Sequence, residues 1–374
     1  MIGVDGEYRF SIFLKDQKNI ISENDMLSFT IIEATGLILP YFEVAFSIKD
    51  KSKLEYFNDK NVLNIQLGKD TNSLKDTELH VEKVIESPAQ TDVGTVVIRG
   101  VHNSKPYLSN TLKKAYPNMT SLDVLSSIAS KYKFKTVANV SAMKDKMTWD
   151  QANKTDFFFA NEVWKHNYLK DNAFCLGSFN IENQFRFEDI VQKISSSDIK
   201  FNFVTSKPEN DKETQICSDF ETDNNTSVNN LFGGYVRTKE VYNMTTRKYS
   251  TIDISGLLPI ISEAKEPNND TSISKSGGFE IQTPLMHENY YKAELLNTTR
   301  LFNMNSSRIW ITIEDTYSDI HPLDLCTVLA KEGNNQSTEQ ISGLYLVSKV
   351  VRTIQDRRLV TSALLCRESF NNQR

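Results

Sequence analysis

The sequence predicts a mainly β chain with inserted α+β segments, and three observations carry that reading. Short runs of alternating apolar residues follow one another from Tyr8 to Val101, with polar turns between them. Helical periodicity is confined to a few blocks, the first of which opens after Pro106. Near the C-terminus, SGLYLVSKVVRTIQDRRLVTSALLCRES reads as a hairpin whose pattern echoes a stretch close to the N-terminus.

In chain order, EYRFSIFLKD, MLSFTIIEAT, YFEVAFSIKD, NVLNIQLGKD, ELHVEKVIES and TVVIRGV are spaced as in a small antiparallel barrel or sandwich. This sets a first β domain at 1–105. From 106 to 195 the character is α+β. In NMTSLDVLSSIASKYKF, Thr120 can cap and Asp123 stands three residues on, while Leu122, Leu125, Ile128, Ala129 and Tyr132 form one helical stripe. TDFFFANEVWKHNYLKD starts at a Thr155 cap and stripes Phe157, Ala160, Trp164 and Tyr168. AFCLGSF and QFRFEDI flank a turn at Asn180 to Asn183, which makes a hairpin.

Strands return in IKFNFV and ETQICSDF, and again in SRIWITIED, LDLCTVLAKEG and the closing hairpin, so a second β domain is expected from 196–255 and 301–374. Between them, 256–300 reads as an inserted segment. It contains the polar run KEPNNDTSISKSGG (265–278), expected as a surface loop, and the amphipathic ENYYKAELLNTTRLFN.

The echo is specific in order. LNIQLGK aligns with LCTVLAK at an offset of 262 residues (Leu63 to Leu325), and HVEKVIES aligns with LVSKVVRT at an offset of 266 (Val81 to Val347). Each pair is followed by a polar turn and a further apolar strand, TVVIRGV or RLVTSALLC. Single matches mean nothing in strands. The common order and the near-constant offset point to a duplicated β domain.

Length and composition bound the function. With 374 residues the chain has room for two to three domains, and 39% hydrophobic residues including 21 Phe and 14 Tyr supply their cores. A formal charge of −5 gives no basic field for a phosphate backbone, so sequence-specific nucleic-acid binding is not expected. MIGVDGEYRF lacks a basic region followed by an apolar run, and no stretch reaches the ~18–20 apolar residues that span a bilayer, so neither secretory export nor stable membrane insertion is expected.

Chemistry is equally sparse. Cys175, Cys217, Cys326 and Cys366 follow no C-x-x-C spacing and read as reduced core residues. His80, His102, His166, His287 and His321 form no H-E-x-x-H or H-x-x-x-H pattern, so a metal site would need convergence from distant segments; no metal or cofactor is expected. G-x-S-x-G, G-x-x-x-x-G-K and G-x-G-x-x-G are absent, and with them the usual signals of hydrolase and nucleotide chemistry. Glu188 and Asp189 adjoin on a strand, where neighbours point to opposite faces, and read as a solvated strand end and not as a glycosidase pair. Phe157 to Phe159 read as helix core in preference to an exposed docking plug.

The order of elements resembles the hub proteins of phage tail baseplates, whose relatives form the hub part of type VI secretion spike proteins. The residues that carry it are the meander from EYRFSIFLKD to YFEVAFSIKD, the block MTWDQANKTDFFFANEVWKHNYLKDNAFCLGSFNIENQFRFEDI, and the closing GLYLVSKVVRTIQDRRLVTSALLCRESFNN. It covers most of the chain as layout, without a short diagnostic motif, and is weakest over 256–300.

The resemblance implies two tube-type antiparallel β-barrel domains in each subunit of a homotrimeric ring, which offers six quasi-equivalent barrels to a sixfold tail tube and threefold symmetry to a spike. It implies a structural, non-enzymatic role in the virion tail baseplate, after synthesis in the host cytoplasm. Its partners would be itself, a tail spike protein, a tube or tube-initiator protein, the tape measure protein and the baseplate wedge. A tube or distal-tail ring subunit and a β-rich carbohydrate hydrolase are the alternatives. In the strand from Leu344 to Val351 both faces are apolar. One is expected to fill its own barrel, while Tyr345, Val347, Lys349 and Val351 are assigned to a neighbouring subunit or to the inserted α+β unit.

Overall fold

The computed structural model describes residues 9–14, 19–21, 25–49, 51–58, 61–68, 75–87, 94–102, 105–140, 142–204, 214–224, 236–255, 257, 259–261, 275–313, 319–330, 341–355 and 358–368. Mainly β architecture with α+β insertions holds throughout. The first strand set comprises β1 (Arg9–Leu14), β2 (Asn19–Ile21), β3 (Met26–Ala34), β4 (Tyr41–Ile48), β5 (Val62–Gly68), β6 (Lys75–Ser87) and β7 (Gly94–His102). Their inward rows, such as Phe42, Val44 and Phe46 on β4, converge on one core with Ile12, Leu63, Ile65, Leu79 and Ile98.

The α+β unit follows with α1 (Lys105–Ser109), β8 (Thr111–Leu112), β9 (Ala115–Met119), α2 (Ser121–Lys131), β10 (Lys135–Ala138), β11 (Met147–Asp150), β12 (Lys154–Thr155), α3 (Asp156–Lys165), β13 (Cys175–Phe179), β14 (Gln184–Asp189) and α4 (Ile190–Ser195). Both predicted caps form. The Thr120 side chain accepts from the Asp123 amide while Asp123 accepts from Thr120 N, closing a capping box, and Thr155 Oγ1 accepts from Phe158 N. The buried faces are rotated slightly from the predicted stripes: Val124 is fully buried while Leu122 and Phe157 pack at the edge of the core, and Phe159 and Val163 lie inside, whereas Phe158, expected in the core, is 63% exposed.

The remaining elements are β15 (Ile199–Val204), β16 (Thr214–Asn224), β17 (Val236–Asn243), β18 (Lys248–Asp253), β19 (Lys275–Gln282), α5 (Tyr290–Met304), β20 (Ser307–Ile313), β21 (Leu325–Leu329), β22 (Gly343–Gln355) and β23 (Arg358–Arg367). A closed barrel runs β22-β21-β15-β16-β20-β23 and back to β22. Its core holds Phe203, Cys217, Ile309, Ile311, Val328, Tyr345, Val347 and Leu365. The strand pattern of 196–255 predicts that all of it belongs to this barrel. Instead β17 and β18 join β19 in a separate three-stranded sheet, because Val241 and Lys239 turn one face onto α5 and the α+β core. Of the polar run 265–278, positions 265–274 lie outside the described residues and 275–278 form the start of β19.

The echo corresponds to matching strands. β3, β4, β5, β6 and β7 pair in the order β5-β6-β7-β4-β3, and β16, β20, β21, β22 and β23 pair in the order β21-β22-β23-β20-β16. β5 and β21 carry the first aligned stretch, β6 and β22 the second. Both hairpins carry a register shift at the same aligned place, between Val81 and Lys83 in β6 and between Val347 and Lys349 in β22. The residues at the shifts are Glu82 and Ser348. The correspondence ends at the first strand: β1 runs antiparallel to β5, whereas β15 runs parallel to β21. β15 follows directly on α4, so it enters its barrel from the α+β unit and in the reverse direction.

The two strand sets are one continuous sheet. Lys349 to Gln355 of β22 pair antiparallel with Ser28 to Ala34 of β3, and Ile354 packs in the first core. Among the described residues no helix is long and apolar enough to cross a membrane. The four cysteines are buried free thiols.

Candidate functional site

The closing hairpin explains its own two-faced pattern. Tyr345 and Val347 are fully buried in the second barrel core, and after the bulge at Ser348 the inward row moves by one position to Val350, which is also fully buried there. On the other face Leu346 is buried in the α+β core and Leu344 packs against it. Tyr345 and Val347 therefore face the interior of their own barrel, and the expectation that they meet a neighbouring subunit or the inserted α+β unit is corrected. Lys349 and Val351 are half-buried, with Lys349 Nζ 5.8 Å above the Trp310 ring.

Where β3 crosses β22 the inward rows change character. On β3 the row runs Phe29, Ile31, Glu33, and on β22 it runs Val350, Arg352, Ile354. Glu33 is wholly buried, and Arg352 is 4% exposed. Register places Glu33 opposite Val350 and Arg352 opposite Ile31, so the two charges meet on the diagonal as an ion pair. Glu33 Oε1 also accepts from Ile181 N at 3.1 Å and lies 3.2 Å from His321 Nδ1. Arg352 Nη2 donates to Ile320 O at 2.5 Å. Burial pushes the Glu33 carboxyl up, but the charges of His321 and Arg352 outweigh it and hold the group down at about 2. For His321 burial lowers the pKa, and Glu33 with Asp319 outweighs that and raises it to about 9.

A second cluster continues from the first. Asp324 accepts from the His321 amide at 2.9 Å and pairs with Arg186 at 2.9 Å and Lys200 at 3.3 Å. Glu188 pairs with Arg186 at 2.7 Å and with Lys193 at 2.6 Å, and Lys193 donates to Leu323 O at 2.9 Å. Glu188 and Asp189 are thus buried and engaged, not a solvated strand end: Asp189 caps α4 through Val191 N and accepts from Phe174 N, both at 3.1 Å. Leu323 holds φ 75°, a conformation that bulky residues rarely adopt, while its amide donates to Val347 O at 2.9 Å. The segment before β21 is strapped into place from both sides.

These groups border an open cleft of about 340 Å³ between the β13–β14 hairpin and the segment 319–324, lined by Glu182, Arg186, Lys200, Asp319, His321 and Asp324 among others. Among the described residues that line it, none carries a hydroxyl or thiol nucleophile. Its buried carboxylates are committed to cations, which fits a rivet joining the first strand set, the α+β unit and the barrel. The cluster is assembled from segments far apart in the chain and follows no local motif. The available signal was a charge on an inward row, Glu33 in F-T-I-I-E and Arg352 in V-V-R-T-I.

No family model matches the sequence, and no curated protein matches it. Solved structures do. A tail protein from Neisseria meningitidis MC58 superposes with a TM-score of 0.61 at 9% identity over 96% of this chain and 96% of its own. The 43 kDa tail protein of prophage MuSo2 from Shewanella oneidensis gives 0.61 at 9% over 97% and 100%. An Escherichia coli component of the type VI secretion system, described as similar in structure to T4 bacteriophage tail proteins, gives 0.51 at 9% over 96% and 77%. At such identities the likeness is one of fold.

Proposed function

We propose that this chain is a structural, non-enzymatic component of a phage tail or phage-like injection machine, and specifically its baseplate hub. In this reading three copies form a ring, each contributes two barrels, and the six barrels meet a sixfold tube on one side and a threefold spike on the other. The ring would leave a channel for genome passage and would contact the spike protein, the tube or its initiator, the tape measure protein and the baseplate wedge.

The observation that carries the reading is the duplication inside one polypeptide: five strands paired in the same order twice, with a bulge at the same aligned place in each set. A chain that offers two such modules to the same kind of neighbour converts threefold into quasi-sixfold symmetry. The likeness in fold to tail proteins supports the same reading. Lys349 and Val351 remain as outward positions on the shared strand and are proposed as subunit contacts.

Light scattering on the purified chain tests this. The expected mass is three times the 42.7 kDa of one chain. A stable monomer at micromolar concentration overturns the hub assignment, and a hexamer transfers the chain to the tube or distal-tail ring class.

A further inference from the structure

His321 is 5% exposed, and its two ring nitrogens have different surroundings. Nδ1 is 3.2 Å from Glu33 Oε1, inside the protein. Nε2 is on the cleft side, has no hydrogen-bond partner of acceptable geometry, and lies 3.3 Å from Asp319 Oδ1. Glu182, in the turn between β13 and β14, brings a third donor, so that one ligand atom from each of Glu182, Asp319 and His321 lies within 4.8 Å of the others.

We propose that Glu182, Asp319 and His321 form a binding site for a divalent transition-metal ion, with His321 Nε2 as the nitrogen ligand and the two carboxylates as oxygen ligands. Three features of the geometry fit. Ligands about 2.0–2.1 Å from a tetrahedral ion stand about 3.4 Å apart, close to the 3.3 Å between His321 Nε2 and Asp319 Oδ1. A metal-bound imidazole characteristically donates its other N–H to a carboxylate, which fixes the tautomer, and Glu33 holds that position against His321 Nδ1. The cleft leaves room for water at the remaining coordination positions.

The donor set of one imidazole and two carboxylates suits zinc or a similar ion better than magnesium, which prefers oxygen and keeps its water. Binding is an exchange of ions: the His321 ring gives up its Nε2 proton to solvent and the cation takes that place between the ring and Asp319. The ion would tie the β13–β14 turn of the α+β unit to the segment that leads into β21. Its effect is mechanical, a staple across the junction already riveted by Glu33 and Arg352.

The test uses the full chain, stripped with chelator, and zinc alone as probe in isothermal titration calorimetry. A saturable event with a single ion per chain is expected, absent with magnesium. Asp319→Asn and Glu182→Gln change groups at the cleft mouth and spare the buried Glu33–Arg352 pair; each should weaken zinc by about tenfold or more and reduce the zinc-dependent rise in melting temperature, with an unchanged circular dichroism spectrum. No saturation at zinc up to about a hundred micromolar overturns the site. So does unchanged affinity in either variant.

Discussion

Glu33 and Arg352, 319 positions apart in the sequence, form a buried ion pair across the junction between β3 of the first strand set and β22 of the second barrel. Neither side chain lies in a loop. Each occupies an inward position on a strand, where an apolar residue would otherwise complete the row.

Removing Arg352 leaves the buried Glu33 carboxylate with His321 as its remaining cation. Arg352→Met should therefore destabilise the chain by about 3–5 kcal/mol, while the double change Glu33→Gln with Arg352→Met should recover a large part of that loss. Urea unfolding of both single variants and the double variant supplies the cycle. A double variant no better than the sum of the singles would show that the two groups act separately.

Val347 and Val351 lie on the same strand, on either side of the register shift at Ser348, and differ in burial. Val347→Asp places a charge in the second barrel core, where it has no cation, and should leave no cooperatively folded protein; Val347→Ala should cost about 1–3 kcal/mol. Val351→Asp should keep the melting temperature of the dissociated chain and weaken self-association. Sedimentation of the two variants separates a core position from a contact position.

Gly100 allows β7 to approach β6. A Cβ at this position would lie 2.2 Å from the His80 carbonyl oxygen and 2.9 Å from Leu79 Cδ1, and the first of these is backbone that cannot turn aside. Gly100→Ala should lower stability by about 2 kcal/mol or more, although the gain in chain stiffness alone would raise it. Thermal melts decide the sign.

Buried histidines set an acid limit. Burial holds His102 and His287 at about 4, although hydrogen bonds, to Asn183 and the Glu78 carbonyl for His102 and to the His166 carbonyl for His287, act in the other direction. The unfolded chain takes up these protons first as pH falls below the ordinary value of about 6.5. Their contribution is thus complete above that pH and is lost between about 6.5 and about 4, by up to roughly 3 kcal/mol for each ring. Urea midpoints measured across this window should fall with pH, and His102→Gln should reduce the slope.

Local chemistry made much of the fold legible. The strand runs, the Thr120 and Thr155 caps, the hairpin around Asn180 to Asn183 and the repeated V-x-K-V motif all depend on neighbours within a few residues, and alternation or capping reports such neighbours directly. The repeat even marked the register shift, since Glu82 and Ser348 occupy its variable position.

Other features depend on which strand meets which. Alternation alone assigned Tyr345 and Val347 to an outer face, because the one-residue shift that carries Val350 inward is a property of the pairing with β23. The separation of β17 and β18 from the second barrel followed from packing on α5, which periodicity does not encode. Glu188 and Asp189 looked solvated until Arg186, Lys193 and the first turn of α4 closed around them. The sequence by itself determined strands, helices and a doubled module, as short-range preferences do. Tertiary structure alone decided where the charges went, because Glu33, Glu182, His321 and Arg352 become neighbours only when β3 pairs with β22 and the α+β unit packs against that junction.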